Sequence, residues 1–184
     1  IVGVRVDSTP VDFQLLESLA ASLDRGCETC RTLLGTMPVT FGQCTGGSSA
    51  FLPRLLVDRG YKGAIWSLFD GTPLPEPGSS RVRWQGHDGT CIDAVACQPL
   101  DARAAGTILR LAEKIGDAMD HHHTCILQFA HHAGTASPWF HLLRRIASWT
   151  TLLGRFVTPA TLFADTAHAG VLADISAEDR KSTR

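Results

Sequence analysis

The segment SSAFLPRLLVDRGYKGAIWSLF, residues 48–69, carries the pattern that decides the fold. Its first half places leucines at helical spacing behind two serines, with Pro53 in the first turn and Gly60 just past the end. Its second half, residues 61–69, is mainly apolar, as expected of a strand that is covered on both faces. A helix followed by a buried strand is the repeating unit of parallel α/β proteins, and the segment predicts that fold class.

The same alternation of helix and strand patterns extends along most of the chain. Helices are predicted over 102–119, with Asp101 as the cap, and over 138–149, with Ser137 as the cap. The predicted parallel strands are 38–42, 61–69, 124–130 and 154–158. Four such strands with helices between them indicate a parallel sheet with crossover helices.

Residues 81–97, RVRWQGHDGTCIDAVAC, interrupt this alternation with two runs that meet at Asp88-Gly89. An Asp-Gly pair between alternating runs is a strong hairpin signal. We expect the hairpin to lie outside the parallel sheet, with Trp84 half-buried. Packing of Trp84 against the protein is favoured, and a substrate-binding role, in which its ring stacks on a ligand, is the alternative.

The composition bounds the class of protein. A length of 184 residues fits one domain, and residues 1–184 are interpreted as a single, incomplete domain. The net charge of −1, with Lys and Arg scattered, argues against a nucleic-acid partner. No apolar run of about 18 residues occurs, which argues against a membrane span. Because the chain begins at Ile1 without an initiator Met or targeting segment, we expect a longer parent protein with further domains. The location is left unassigned, with the cytoplasm favoured.

Six cysteines in a chain of this length do not indicate a disulfide scaffold. A helix is predicted to begin at Ser8 or Thr9 and to stop at Gly26, and Cys27 and Cys30 lie in the short helical segment that follows. A lone C-x-x-C is compatible with a redox pair or with half of a zinc site. We favour packing on one helix face, because buried unpaired cysteines are common.

Candidate site residues follow from the ends of the predicted strands, where parallel α/β folds bind their ligands. The residues at these ends include Gln43, a candidate substrate-binding residue, and Asp70, a candidate catalytic carboxylate. The pair His131 and His132, at the end of the third strand, are the other catalytic candidates. Adjacent residues on an extended chain point to opposite sides, so at most one histidine is expected to face a common pocket. Imidazole can bind a metal or transfer a proton near neutral pH. Each residue also has a structural interpretation, as a polar group where a strand leaves the core or, for Asp70, as the start of an Asp-Gly turn.

Three sequence motifs follow one another along the chain: the helix-to-strand passage from LPRLL to GY, the hairpin WQGHDGT and the turn AHHAGTASPW. In this order and spacing they resemble the amino-terminal catalytic domain of family 38 glycoside hydrolases, the α-mannosidase-like proteins, and especially their uncharacterised bacterial relatives. The resemblance runs from about residue 25 to residue 167. It implies a seven-stranded β/α barrel of the type shared with carbohydrate deacetylases, of which this chain is a part with an inserted β-hairpin.

The resemblance also implies chemistry. Family enzymes retain the anomeric configuration through a glycosyl-enzyme intermediate, using two carboxylates and a zinc ion that holds sugar hydroxyls. Their His-x-Asp zinc motif is absent from this sequence, so zinc ligands would lie before Ile1, and no metal ligand is assigned here. The family nucleophile precedes the LPxLL helix, where this chain has FGQCTGGSSAFLP and no carboxylate.

The predicted function is therefore a glycoside-hydrolase-like domain, related to α-mannosidases, that acts on α-linked sugars or derives from enzymes that act on them. A metal-dependent carbohydrate deacetylase and a catalytically silent carbohydrate-binding domain are the alternatives. Within the implied barrel one imidazole, by preference His131, is expected to lie near Asp70, because neighbouring strands are about 4.8 Å apart. Without its first strands the barrel should be open, with an exposed edge at the strand nearest residue 40.

Overall fold

The computed structural model describes residues 2–3, 14–44, 49–69, 81–120, 126–165 and 173–176. Asp70 and the predicted helix start at Ser8 or Thr9 lie outside the described residues. The helices are α1 (Leu16–Leu34), α2 (Leu52–Asp58), α3 (Thr107–Asp120), α4 (Phe140–Trp149) and α5 (Pro159–Asp165). The strands are β1 (Val2–Gly3), β2 (Thr40–Gln43), β3 (Gly63–Ser67), β4 (Arg81–Gln85), β5 (Cys91–Cys97), β6 (Leu100–Asp101), β7 (Phe129–Ala130) and β8 (Ala173–Ser176).

A six-stranded sheet forms the centre of the described structure, in the spatial order β1-β2-β3-β5-β4-β8. The strands β1, β2, β3 and β5 are parallel neighbours, and Phe41 of β2 pairs with Ala64 of β3. The predicted α/β class and the parallel pairing of the strands near residues 40 and 65 are confirmed. Within the described residues the sheet is open and not closed into a barrel. The expected exposed edge near residue 40 is wrong, because β2 is paired on both sides, with β1 and β3.

The hairpin is part of this sheet, so the prediction that it lies outside is wrong. Strand β5 pairs in parallel with β3 on one side and antiparallel with β4 on the other. The physical reason lies in alternate residues of the two strands, Val82, Trp84, Ile92 and Ala94, which are all buried and extend the sheet's apolar face. The predicted turn is confirmed, since Gly89 has φ +81° and a backbone that favours glycine.

A separate two-stranded sheet holds the strand that precedes the two histidines. Strand β6 pairs in parallel with β7, with Leu100 opposite Phe129. Within the described part of the strand predicted over 124–130, only Phe129–Ala130 form a strand, and its parallel partner is β6 in this separate sheet instead of another of the predicted strands. The strand predicted over 154–158 is wrong, because that segment is unpaired and Phe156 is 49% exposed.

Helix α1 is a single continuous helix where the sequence predicts two. Its buried positions follow helical spacing and are Leu19, Ser22, Leu23, Gly26 and Cys27. Gly26 lies on this buried stripe and does not stop the helix. The helix ends instead at Gly35, which has φ +66° and donates its backbone N–H to the carbonyl of Arg31.

Two predicted helix caps have different outcomes. Trp139, and not Ser137, stands at the cap position of α4, but the hydroxyl of Ser137 still accepts a hydrogen bond from the backbone N–H of Phe140, the first residue of the helix, at 3.2 Å. Asp101 does not cap α3, because this helix begins at Thr107 and Asp101 belongs to β6. The Asp101 carbonyl instead accepts a hydrogen bond from the Thr107 hydroxyl at 2.7 Å.

The main core lies between α1, α2 and one face of the sheet. The rings of Trp66 and Trp84 meet edge-on at 4.7 Å between centroids. The buried apolar cluster around them contains Leu19, Leu23, Cys27, Phe41, Leu52, Leu56, Tyr61, Ala64, Leu68, Val82, Ile92, Ala94 and Ala96. Both tryptophans are 1% exposed, so the expectation that Trp84 is half-buried is wrong. A strand inside the sheet leaves its inward ring no access to solvent.

The first cysteine of the C-x-x-C pair belongs to this core. Cys27 is buried, and its Sγ lies 3.4 Å from the hydroxyl of Tyr61. Burial and this hydrogen bond raise the pKa of Tyr61, which therefore stays neutral at physiological pH. Cys30 is partly exposed one turn away. This arrangement agrees with the packing interpretation of the pair.

A smaller apolar cluster joins α3 and α4. It contains the buried residues Ala102, Leu111, Trp139 and Leu143, with Phe129 and Phe140 packed against it. The indole N–H of Trp139 donates to the carbonyl of Ala104 at 2.9 Å. This cluster holds the end of β7 against α4. Across the described part of the chain, none of the helices combines the length and apolar character needed to span a membrane.

Candidate functional site

The carboxyl ends of the parallel strands meet at one edge of the structure. The backbone N–H of Leu68, just after β3, donates to the carbonyl of Cys97 at 2.9 Å. The N–H of Phe69 donates to the carbonyl of Cys44, just after β2, at 3.1 Å. Polar residues that follow these strands therefore lie side by side, as the strand-end argument predicts.

A cluster of polar side chains lies where β6 and β7 end, and we call it the strand-end cluster: Asp101, Arg103, His131 and His132. The Nε2 atom of His132 lies 4.0 Å from Oδ1 of Asp101. The ring of His131 lies edge-on to Phe140, with 4.4 Å between centroids. Both histidines are exposed, and they contact different neighbours, as expected for adjacent residues on an extended chain.

In the described residues a histidine does lie beside a carboxylate, but neither residue of this pair is the one favoured from the sequence. Asp70 lies outside them, so its pairing with His131 is not tested. The carboxylate beside a histidine is Asp101, and the histidine is His132 instead of the favoured His131. The reasoning from neighbouring strands holds, because Asp101 ends β6 and β6 is the parallel neighbour of β7.

Arg103 sets the charge state of Asp101. Its side chain donates to both carboxylate oxygens, with the shortest distance 2.7 Å from Nη2 to Oδ2, and its backbone N–H donates to Oδ1 at 2.8 Å. These bonds lower the pKa of Asp101 to about 2. The carboxylate is therefore ionised at neutral pH and serves as a hydrogen-bond acceptor, not as an acid. Because the pKa of Asp101 is lower in the folded chain than in the unfolded chain, its carboxylate stabilises the fold at pH values above the unfolded-state pKa. This stabilisation is lost as the pH falls toward 2.

A cavity of about 660 Å³ lies beside the ends of β2 and β3. Gly42, Ile65 and Ser67 contribute to its wall, and they alternate along the strands with core residues such as Trp66, so the cavity lies on the sheet face opposite α1 and α2. The rest of the wall is Gln43, Cys44, Leu111, Ile115, Ile126, Leu127, Gln128, Phe129, Leu143, Ala147, Leu152, Leu153, Gly154, Arg155, Phe156, Val157, Thr158, Pro159 and Leu162.

The two predicted substrate-binding residues are placed differently. Gln43 ends β2, is 6% exposed and lies in the cavity wall. Trp84 is in the main core between the sheet and the helices, away from the cavity-lining residues. Stacking on a sugar needs an accessible ring face, and the packing interpretation of Trp84 therefore agrees with its burial.

The described residues contain no group of three or more His, Cys, Asp or Glu side chains placed to hold a metal ion. The zinc ion that the resemblance implies therefore stays a prediction, and no chemical step is assigned to zinc here.

The sequence pattern predicts Asp101 as a helix cap and does not single it out as a candidate site residue. The cause is local, since an aspartate before a helical pattern is the usual sign of a cap. A better signal was available in CQPLDAR, residues 97–103, where an apolar strand ends, a proline intervenes and an aspartate is followed two residues later by an arginine. A two-residue strand such as β6 has no periodicity by which to recognise it.

Comparisons with known proteins bear on the fold. No family model matches this chain, and no curated protein matches it. Among solved structures, an α-mannosidase from Enterococcus faecalis V583 matches with a TM-score of 0.61 and 14% sequence identity. The match covers 87% of this chain and 20% of that one, so this chain spans about a fifth of the length of the α-mannosidase. The likeness confirms a mannosidase-like fold, whereas membership of family 38 stays a prediction.

Proposed function

We propose that this chain is a glycoside-hydrolase-like domain of a longer protein and that it binds an α-linked sugar at the carboxyl ends of its parallel strands. The observation that carries the proposal is the fold match to an α-mannosidase over 87% of the chain. The strand order supports it. The parallel strands β1, β2, β3 and β5 are spatial neighbours in the order in which they follow along the chain, as expected of an arc of a β/α barrel.

The strand-end cluster supplies the polar groups in this proposal. Ionised Asp101 accepts a hydrogen bond from a sugar hydroxyl, and His132, 4.0 Å away, donates to or accepts from the neighbouring hydroxyl. His131 and Gln43 are proposed as further contacts to the substrate. The exposure of both histidines leaves them accessible to a ligand.

Hydrolysis of a glycosidic bond needs a second carboxyl group, because one acts as the acid and the other as nucleophile or base. Asp101 is held ionised by Arg103 and is poorly suited to the role of acid. We therefore propose Asp70, three residues after the end of β3, as the second carboxyl group. Turnover by the complete protein would then depend on both aspartates.

Titration calorimetry with methyl α-D-mannopyranoside tests the proposal. We expect Asp101→Asn to raise Kd about tenfold or more, because it removes a charged hydrogen-bond acceptor. His132→Gln should have a smaller effect in the same direction. The matched control is Asp58→Asn on α2, whose carboxylate is exposed and paired with Arg54 at 2.9 Å.

Three results are informative. Unchanged affinity in Asp58→Asn and weakened affinity in Asp101→Asn support the site. Equal affinity in both variants would refute it, as would the absence of mannoside binding by the unmodified chain. Binding without sugar release by the complete protein would identify a silent sugar-binding domain.

A further inference from the structure

The cavity beside β2 and β3 is unlike a sugar site in its lining. Its described walls consist mostly of apolar side chains, among them Ile65, Leu111, Ile115, Leu143 and Phe156. A volume of about 660 Å³ is typical of small-molecule pockets, which are lined mainly by apolar residues with a few polar groups. The lining therefore favours an apolar occupant.

The polar side chains in the wall have protein partners of their own. The hydroxyl of Ser67 donates to Oε1 of Gln128. Arg155, the one charged residue among the described lining residues, is ion-paired with Asp165 of α5. A sugar ring in this cavity would have to compete with these contacts, and burying hydroxyl groups without partners is costly.

The cavity and the strand-end cluster are continuous along the chain. Gln128 and Phe129 line the cavity, and His131 and His132 follow them after one residue, directly after the end of β7. Three residues of extended chain span about 10 Å. This separation is comparable with the length of one monosaccharide joined to an aromatic ring.

We propose that the cavity binds the apolar aglycone of a glycoside, an aryl or alkyl group, while the sugar ring contacts the strand-end cluster. The inference rests on the proposed function for the sugar half of the ligand, and it adds the substrate class: glycosides with an apolar group instead of free oligosaccharides. Apolar area buried in the cavity then contributes to affinity independently of Asp101.

The test compares three probes by titration on the same chain: 4-methylumbelliferyl α-D-mannopyranoside, methyl α-D-mannopyranoside and 4-methylumbelliferone alone. We expect the aryl mannoside to bind about tenfold more tightly than the methyl mannoside, because its ring leaves water. Asp101→Asn should weaken both mannosides and leave 4-methylumbelliferone unaffected.

Two cavity variants locate the aryl group. Ala147→Phe on α4 fills space in the cavity wall, and Ile65→Thr makes the wall more polar while keeping a β-branched residue in β3. Both should reduce the affinity for the aryl mannoside toward that for the methyl mannoside. Ser148→Phe, at an exposed position of the same helix, is the matched control and should leave both affinities unchanged.

The outcomes separate the two proposals. Equal affinity for the aryl and methyl mannosides overturns the aglycone inference and leaves the proposed function intact. An aryl preference that Ala147→Phe and Ile65→Thr do not reduce also overturns it. Binding of 4-methylumbelliferone that Ala147→Phe abolishes, without binding of the methyl mannoside, supports the cavity and overturns the proposed function.

Discussion

Replacement of Trp84 with alanine is expected to lower the free energy of unfolding by about 3–5 kcal/mol, because it leaves a large cavity in a closely packed core. Trp84 is 1% exposed, and its ring lies edge-on to Trp66 at 4.7 Å between centroids. An aromatic pair of this kind adds about 1 kcal/mol beyond the burial of its area. Urea denaturation followed by circular dichroism measures the change.

Trp149→Ala is the matched control for this experiment. Trp149 is 72% exposed at the end of α4, where Arg145 lies 4.9 Å above its ring. Its replacement should change the unfolding free energy by less than about 1 kcal/mol. A cost for Trp84→Ala no larger than that for Trp149→Ala would mean that the hairpin does not pack in the sheet as described.

Replacement of Asp93 with alanine is expected to cause the second largest loss in the free energy of unfolding, after Trp84→Ala. The Arg81 side chain is 5% exposed on the sheet face opposite Trp84, and its Nη2 lies 2.6 Å from Oδ2 of Asp93. Removing Asp93 breaks this ion pair, and breaking a buried ion pair costs about 3–5 kcal/mol. Asp93 is 34% exposed, so water reduces this cost, and we expect about 2 kcal/mol.

A double-mutant cycle separates this effect from simple loss of contacts. Arg81→Met together with Asp93→Ala should recover much of the lost stability, because no charge is then left buried. Asp58→Ala, which breaks an exposed pair with Arg54, should cost less than about 0.5 kcal/mol. If Asp93→Ala costs no more than Asp58→Ala, the buried ion pair does not stabilise the fold.

Local sequence signals predicted the elements whose boundaries are set by local chemistry. Helix α2 begins next to Pro53 and is followed by Gly60, which has φ +81°, as the proline and glycine signals indicate. The hairpin turn forms at Gly89, and the hydroxyl of Ser137 accepts a hydrogen bond from the first backbone N–H of α4. Each of these signals acts within a few residues, so one sequence is enough to recognise it.

Pairing between distant segments was not predictable in the same way. An alternating hairpin looks the same in sequence whether it lies outside a sheet or inside one, and the burial of Trp84 depends on the position of β3. Gly26 failed as a stop signal because it is needed on the buried stripe of α1. Tertiary packing overrode the local propensity.

The sequence predicted the position of two residues of the strand-end cluster, and their role as a site stays a prediction. The rule that ligands bind at the carboxyl ends of parallel strands led to His131 and His132, and these do follow β7. The rule could not identify Asp101, because a strand of two residues lacks a recognisable pattern and β6 was hidden by the helical sequence that follows it.

The central claim is that an α-linked sugar binds at the strand ends, and a two-dimensional ¹H–¹⁵N correlation spectrum recorded during titration with methyl α-D-mannopyranoside tests it most directly. The account predicts the largest saturable shifts at the backbone N–H groups of Asp101–Arg103 and Gln128–His132, with those of α1 unchanged. Shifts confined to α1 and α2, or a spectrum that the mannoside leaves unchanged, would contradict it.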